Sequence, residues 1–225
     1  MPSNRRIWAE VDDYAADSLL PPDPVMDAVL ERNRARGLPA IHVSPLQGRF
    51  LQLAVRMCGA RRVLEIGTLG GYSTIWMARA LPMGGQVVTL ELESAHAAVA
   101  RENFATAGVA GKIDLRVGPA LSSLEKLEAE RAEPFDLVFI DADKPSNKPY
   151  LERTMRLARP GTVIICDNVV RGGAVIEAGS EDASVQGSRD VFSFFGRQGN
   201  LQATALQTVG EKGYDGFALA IVGES

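Results

Sequence analysis

The sequence predicts a doubly wound α/β fold, a mostly parallel seven-stranded sheet with helices on both faces. Three observations predict it. Strand-like runs end near Glu65, Glu91, Val117, Asp141 and Asp167, 24 to 26 residues apart. Helical patterns, such as Tyr72 to Leu81 and Ser94 to Ala107, fill the gaps. The runs themselves (RRVLEI, QVVTLE, KIDLRV, FDLVFID, TVIICD) are almost continuously apolar, as strands are when helices cover both faces. Strand–helix units of this length imply parallel strands joined by right-handed crossovers.

The elements follow in order. Residues 1–60 read as a helical cover. Trp8, Val11, Tyr14, Ala15 and Leu19 recur at helical spacing. Asp23-Pro24 offers an N-cap and a first-turn proline, and Gly37 a stop. Ser44-Pro45-Leu46-Gln47 has capping-box form and opens a helix through Phe50, Leu51, Leu53, Ala54 and Met57. After the fifth strand-like run, at Asp167, the pattern changes. Residues 169–187 read as a long loop whose glycines, Gly172, Gly173, Gly179 and Gly187, permit movement. A helix is expected from Arg189 to Gln198. Two β-rich runs, Leu201 to Val209 and Gly216 to Val222, predict a terminal hairpin with an antiparallel edge strand, its turn spanning Gly210 to Asp215. No linker composition interrupts the chain, so 1–225 reads as a single domain that includes the 1–60 cover.

Composition narrows the class. The chain has 225 residues, 46% hydrophobic, with a formal charge of −4, which gives no global attraction to nucleic acid. Its two cysteines, Cys58 near a helix end and Cys166 in a buried strand, indicate no disulfide framework and fit a reducing cytosol. The opening MPSNRRIWAEVDDY is too acidic and too poor in apolar residues for a secretory signal. No stretch is apolar enough to cross a bilayer. A cytoplasmic protein is expected.

Ligands of open α/β sheets bind at the carboxyl ends of the strands. Four of the five predicted ends carry a carboxylate: Glu65, Glu91, Asp141 and Asp167. One such acid can simply cap the next helix. Four on one rim repel each other unless cationic or hydroxyl-bearing ligands sit there. The loop Glu65-Ile66-Gly67-Thr68-Leu69-Gly70-Gly71-Tyr72-Ser73 approaches a dinucleotide fingerprint, but Leu69 stands where a glycine must admit a pyrophosphate. A P-loop Lys-Ser/Thr pair is absent too, and no GxSxG elbow marks a hydrolase. A nucleoside without phosphates and with a positive group fits better, and S-adenosylmethionine has both properties. Glu91 is placed to accept hydrogen bonds from ribose hydroxyls. Tight strand–helix packing explains Gly67, Gly70 and Gly71 equally well. The pair Asp141-Ala142-Asp143-Lys144 and Asp167-Asn168 would offer three oxygen ligands, Asp141, Asp167 and Asn168, to a hard cation, with a lysine beside it.

Together, VLEIGTLGGYST, the acid of TLELES, FIDADK with Tyr150 downstream, ICDNVVRGG and the closing GYDGFALAIV resemble the cation-dependent O-methyltransferases, the group containing catechol and caffeoyl-CoA O-methyltransferases. The likeness runs from about residue 40 to the end and is nearest the small bacterial members. It implies a Rossmann-like fold and a set of roles. Val43, Glu65, Gly67, Thr68, Ser73, Glu91, Ala120 and Asp143 match S-adenosylmethionine contacts. Asp141, Asp167 and Asn168 match ligands of a divalent cation, Mg²⁺ foremost, with Ca²⁺ or Mn²⁺ as alternatives. Lys144 matches the general base, and Arg189, with Asp141, a position near the substrate. Simpler roles compete: Val43 as a helix-entry staple, Ser73 and Asp143 as caps, Asp167-Asn168 as a turn, Lys144 as a surface lysine. His42 and His96 form no zinc pattern; His96 is expected on an exposed helix, and Tyr72 and Trp76 in the core.

The departures concern the substrate. The plant acyl-CoA branch has an aromatic three residues after the lysine and often Trp soon after DN; here Asn147 and Val170-Arg171 stand there. The expectation is therefore methylation of a small catechol or similar phenolic, not of a CoA ester. An alternative is a hydroxylated uridine in tRNA, for which Arg5, Arg6, Arg32, Arg34, Arg36, Arg61 and Arg62 would supply part of a basic face. Another is a non-catalytic S-adenosylmethionine-binding module, which would not need Asp141, Lys144, Asp167 and Asn168. The resemblance also implies a homodimer.

Overall fold

The computed structural model describes residues 3–224. Three helices precede the sheet: α1 (Ser3–Leu19), α2 (Pro24–Ala35) and α3 (Pro45–Met57). Asp23 caps α2 through Met26 N, and Ser44 caps α3 through Gln47 N at 3.2 Å. Then follow β1 (Arg62–Ile66), α4 (Tyr72–Ala80), β2 (Gln86–Glu91), α5 (Ser94–Thr106), β3 (Ile113–Val117), α6 (Ala120–Ala129), β4 (Phe135–Ile140), α7 (Asn147–Arg156) and β5 (Ala158–Asp167). The chain ends with α8 (Ala183–Arg197), β6 (Leu201–Gly210) and β7 (Gly213–Val222).

The sheet runs β3-β2-β1-β4-β5-β7-β6, parallel from β3 to β5. The chain winds outward from β1 to β2 and β3, then crosses back to β4 on the other side of β1, and between β1 and β4 such sheets open a crevice. Alternate strand residues feed two cores. Val63, Val87, Leu137, Phe139 and Ile165 pack with residues of α2 to α5 on one face. Leu64, Ile66, Val88, Leu90, Val138, Ile140 and Ile164 pack with α6, α7 and α8 on the other. The continuous apolarity of the strands is this two-sided burial.

The terminal hairpin forms as expected, while its turn and the segment before it are corrected. The edge strand is antiparallel to its neighbour as expected: β7 pairs antiparallel with both β5 and β6, and β6 is the edge. The more apolar of the two runs takes the interior place, while Gln202 to Val209 are exposed. The hairpin is tighter than expected, with Gly210 paired to Gly213. Residues 169–187 are not one loop. A 3₁₀ segment spans Arg171–Ile176, and α8 begins at Ala183 under an Asp182 cap. Gly187 lies inside α8, where a Cβ would stand 1.9 Å from the Lys144 carbonyl oxygen. That glycine gives close approach, not movement.

Candidate active site

A cavity of about 680 Å³ opens at the carboxyl edge of the parallel strands. Its wall includes Val43 ahead of α3, Gly67, Thr68 and Ser73 around the β1–α4 loop, and Glu91 ending β2. Ala120 opening α6, Asp141, Asp143 and Lys144 after β4, and Asn168 after β5 complete it. The sheet thus brings most of the predicted site residues to one space. Glu65, Asp167 and Arg189 stand outside the wall.

Glu65 is fully buried in β1. It accepts hydrogen bonds from Ser73 Oγ at 2.5 Å, from Thr89 Oγ1 at 2.6 Å and from the Thr74 hydroxyl. Burial pushes its carboxyl up to about 7, against the pull of those three hydroxyls. Ser73 is therefore not the helix cap: it stands between Glu65 and the cavity. The N-cap of α4 is Gly71, in a left-handed conformation.

Gly67 has φ +99, and a Cβ there would meet the Asp141 carbonyl oxygen at 2.1 Å. Only glycine lets the β1 loop lie against the end of β4. Glu91 then ties that loop to β2. Its Oε2 accepts from Leu69 N at 2.7 Å and Thr68 N at 3.2 Å, and its Oε1 from Glu93 N at 2.9 Å. Oε1 also lies 3.4 Å from His96 Nδ1, and both residues line the cavity. His96, expected on an exposed helix face, lines the cavity instead. Tyr72 and Trp76 are core residues as expected, though Tyr72 also reaches the cavity wall, its ring edge-on to His42. Burial, with the charges of Lys212 and Arg34, lowers His42 to about 4, so it is neutral at physiological pH.

The other half of the wall carries the lysine. Lys144 Nζ donates to Asp141 Oδ1 at 2.9 Å, and its side chain is only 8% exposed, which excludes a solvated surface lysine. Asp143 caps no helix through its side chain; it accepts the Tyr150 hydroxyl at 2.5 Å. Asp167 is buried beneath the wall. Its Oδ1 accepts from Asn168 N at 2.9 Å and its Oδ2 from Gln47 Nε2 at 2.7 Å. Burial, and then the charge of Asp141, pushes Asp167 up to about 7. Asn168, directly after β5, takes φ +55 and lines the cavity. Among the described residues no three His, Cys, Asp or Glu side chains form a metal cluster; the predicted set depends on the Asn168 amide.

Sequence reasoning missed Gln47. It reads as the closing residue of a capping box, three after Ser44, yet its side chain reaches Asp167. Arg171 was named only as a departure from the acyl-CoA pattern, and it too lines the cavity. Arg189, by contrast, donates to the Val175 carbonyl at 2.6 Å and ties α8 to the Arg171–Ile176 segment. The arginines considered for a basic face are largely spent: Arg6, Arg32, Arg34 and Arg36 pair with Glu10, Glu102, Glu31 and Glu102. Arg61 and Arg62 lie where β1 begins, at the opposite end from the cavity.

Fold and cavity together define a Rossmann-like α/β protein with its ligand site at the carboxyl edge. The O-methyltransferase family model matches residues 18–195. Catechol O-methyltransferase of Niastella koreensis is 48% identical over 219 residues, 97% of this chain and 99% of that protein. Catechol O-methyltransferase of Mycobacterium tuberculosis is 51% identical over 213 residues, 95% of each. The crystal structure of the O-methyltransferase from Bacillus cereus in complex with SAH matches at a TM-score of 0.96 and 53% identity, covering 97% of this chain and 99% of that one. The chain belongs to the O-methyltransferase family.

Proposed function

We propose that the chain transfers the methyl group of S-adenosylmethionine to one hydroxyl of a vicinal dihydroxy aromatic small molecule. The observation that carries this reading is that one cavity joins a glycine–acid wall to a carboxylate–lysine wall. The SAH bound by the Bacillus cereus relative, which is demethylated S-adenosylmethionine, and the catechol named for two others support it.

Each wall suits one reactant. The β1–α4 loop gives backbone close approach at Gly67 and hydroxyls at Thr68 and Ser73. Glu91, on the cavity wall, is the carboxylate for the ribose hydroxyls. Val43 and Ala120 give apolar surface, and Asp143, fixed by Tyr150, a second carboxylate. Glu65 acts through Ser73, whose hydroxyl it orients.

Asp141, Asp167 and Asn168 fit a divalent cation. All three offer hard oxygen donors. Burial first, then the charge of Asp141, raises Asp167 against the pull of Lys144, and the Asn168 side chain makes no hydrogen bond among the described residues. When bound, such a cation supplies Lewis acidity to two adjacent hydroxyls. Lys144, held beside Asp141, takes the proton of the reacting hydroxyl and must do so as the free amine. No covalent intermediate with the protein is needed; alignment of the two reactants carries much of the rate. The spent arginines favour a small molecule over tRNA.

The proposal includes a cytoplasmic homodimer. No described helix is long and apolar enough to cross a membrane. A second copy has a surface in the edge strand β6, with Leu206 and Val209 exposed, and the outward stripe Ile7, Val11 and Tyr14 of α1. The function is tested with labelled S-adenosylmethionine and matched acceptors. Catechol is expected to receive the label and phenol not to. Equal labelling of phenol would remove the vicinal requirement.

A further inference from the structure

Arg171 shares the cavity wall with Lys144, Asn168 and Ser184, three residues from Asn168. It is half-buried, and its guanidinium has no hydrogen bond, ion pair or ring contact among the described residues. Its neighbours are spoken for. Lys144 is bound to Asp141, and Arg189 to a backbone carbonyl. A partly desolvated charge without a counterion is unfavourable unless a ligand supplies one.

The position is built, not incidental. Arg171 has φ +57, a left-handed conformation that non-glycine residues avoid. Asp215, near the start of β7, holds it there. Its Oδ1 accepts from Val170 N at 2.9 Å, from Arg171 N at 3.0 Å and from its neighbour Gly216 N at 2.9 Å. Val169 N adds a bond to the Gly216 carbonyl at 3.0 Å. The segment carrying the arginine is thus clamped to the sheet beside the residue that follows Asp167. The planar guanidinium carried on this clamped backbone matches a carboxylate with two parallel hydrogen bonds.

We propose that the acceptor carries an anionic group, a carboxylate on the dihydroxy ring or its side chain, and that Arg171 is the specificity residue that binds it. This rests on the methyl-transfer reading above and names its substrate class.

The test compares 3,4-dihydroxybenzoate with its methyl ester, which keeps ring and hydroxyls but removes the charge. Binding to SAH-loaded protein with Mg²⁺ is measured by calorimetry, alongside methyl transfer to each compound. The wild type is expected to bind the acid about tenfold or more tighter than the ester. Arg171→Gln is expected to erase that preference and leave the ester within about twofold, while Arg171→Lys keeps part of it. No preference in the wild type, equal weakening of both compounds by Arg171→Gln, or no binding of either would overturn the proposal. The expected preference without any methylated product would leave the arginine assignment standing and remove the methyl-transfer reading instead.

Discussion

Gln47 Nε2 donates to Asp167 Oδ2 at 2.7 Å, so the first turn of α3 holds the carboxylate that closes β5. Groups that orient a metal ligand from behind affect affinity nearly as much as the ligand does. Gln47→Met keeps the length and helix propensity but removes the donor. It is expected to weaken divalent-cation binding by roughly 10- to 100-fold, with SAH affinity unchanged. Calorimetric titration of each ligand measures both. Unchanged cation affinity would show the bond to be packing only.

Cation binding should also depend on pH. Asp167 is pushed up to about 7 by burial and by Asp141, so below that pH a cation must displace its proton. Affinity is expected to be level above pH 8 and to fall about tenfold per pH unit on going below 7. A flat profile between pH 5.5 and 8 would contradict Asp167 as a ligand.

Glu65 makes a separate pH prediction, for stability. Its carboxyl in the fold sits above its ordinary value of 4.5, at about 7. A raised pKa means the native state holds the proton more tightly than the unfolded chain. The resulting stability is full below 4.5 and is lost as pH rises through 7. The loss is on the order of 3 kcal/mol. Asp167 acts in the same direction, so Glu65→Gln should flatten the profile only in part. Denaturant midpoints at pH 5, 6, 7 and 8 measure this; a variant profile parallel to the wild type would contradict it.

Lys144→Ala is expected to lower kcat by about 10²- to 10⁴-fold with little change in the acceptor KM. Lys144→Arg should not rescue it, because a guanidinium keeps its proton. An unchanged rate at neutral pH would remove Lys144 as the base and leave the rest of the site intact.

Much of this was legible because burial on both faces makes strands read as unbroken apolar runs. The ends at Glu91, Val117 and Asp167 fall on the residue expected. The clustering of Gly67, Glu91, Asp141 and Asn168 followed from parallel strands finishing on one edge. What was not legible depends on partners distant in sequence. Gly187 and Ser188 interrupt the apolar pattern of α8, since one makes room for the Lys144 backbone and the other bonds back to the Ser184 carbonyl. Asp182 ahead of Ala183 was the available signal for that helix start. Gln47 gave no sign of its partner, which lies 120 residues on. The interior place of β7 could be inferred from its run, GYDGFALAIV, being more apolar than LQATALQTVG.

The central claim is that the carboxylate–lysine wall works with a divalent cation while the glycine–acid wall presents the methyl donor. The most direct test is methyl transfer from S-adenosylmethionine to 3,4-dihydroxybenzoate by protein stripped of metal with a chelator. The account predicts no methyl ether until Mg²⁺ or another divalent cation is returned, and then recovery of the rate. Full activity in the presence of excess chelator would contradict it.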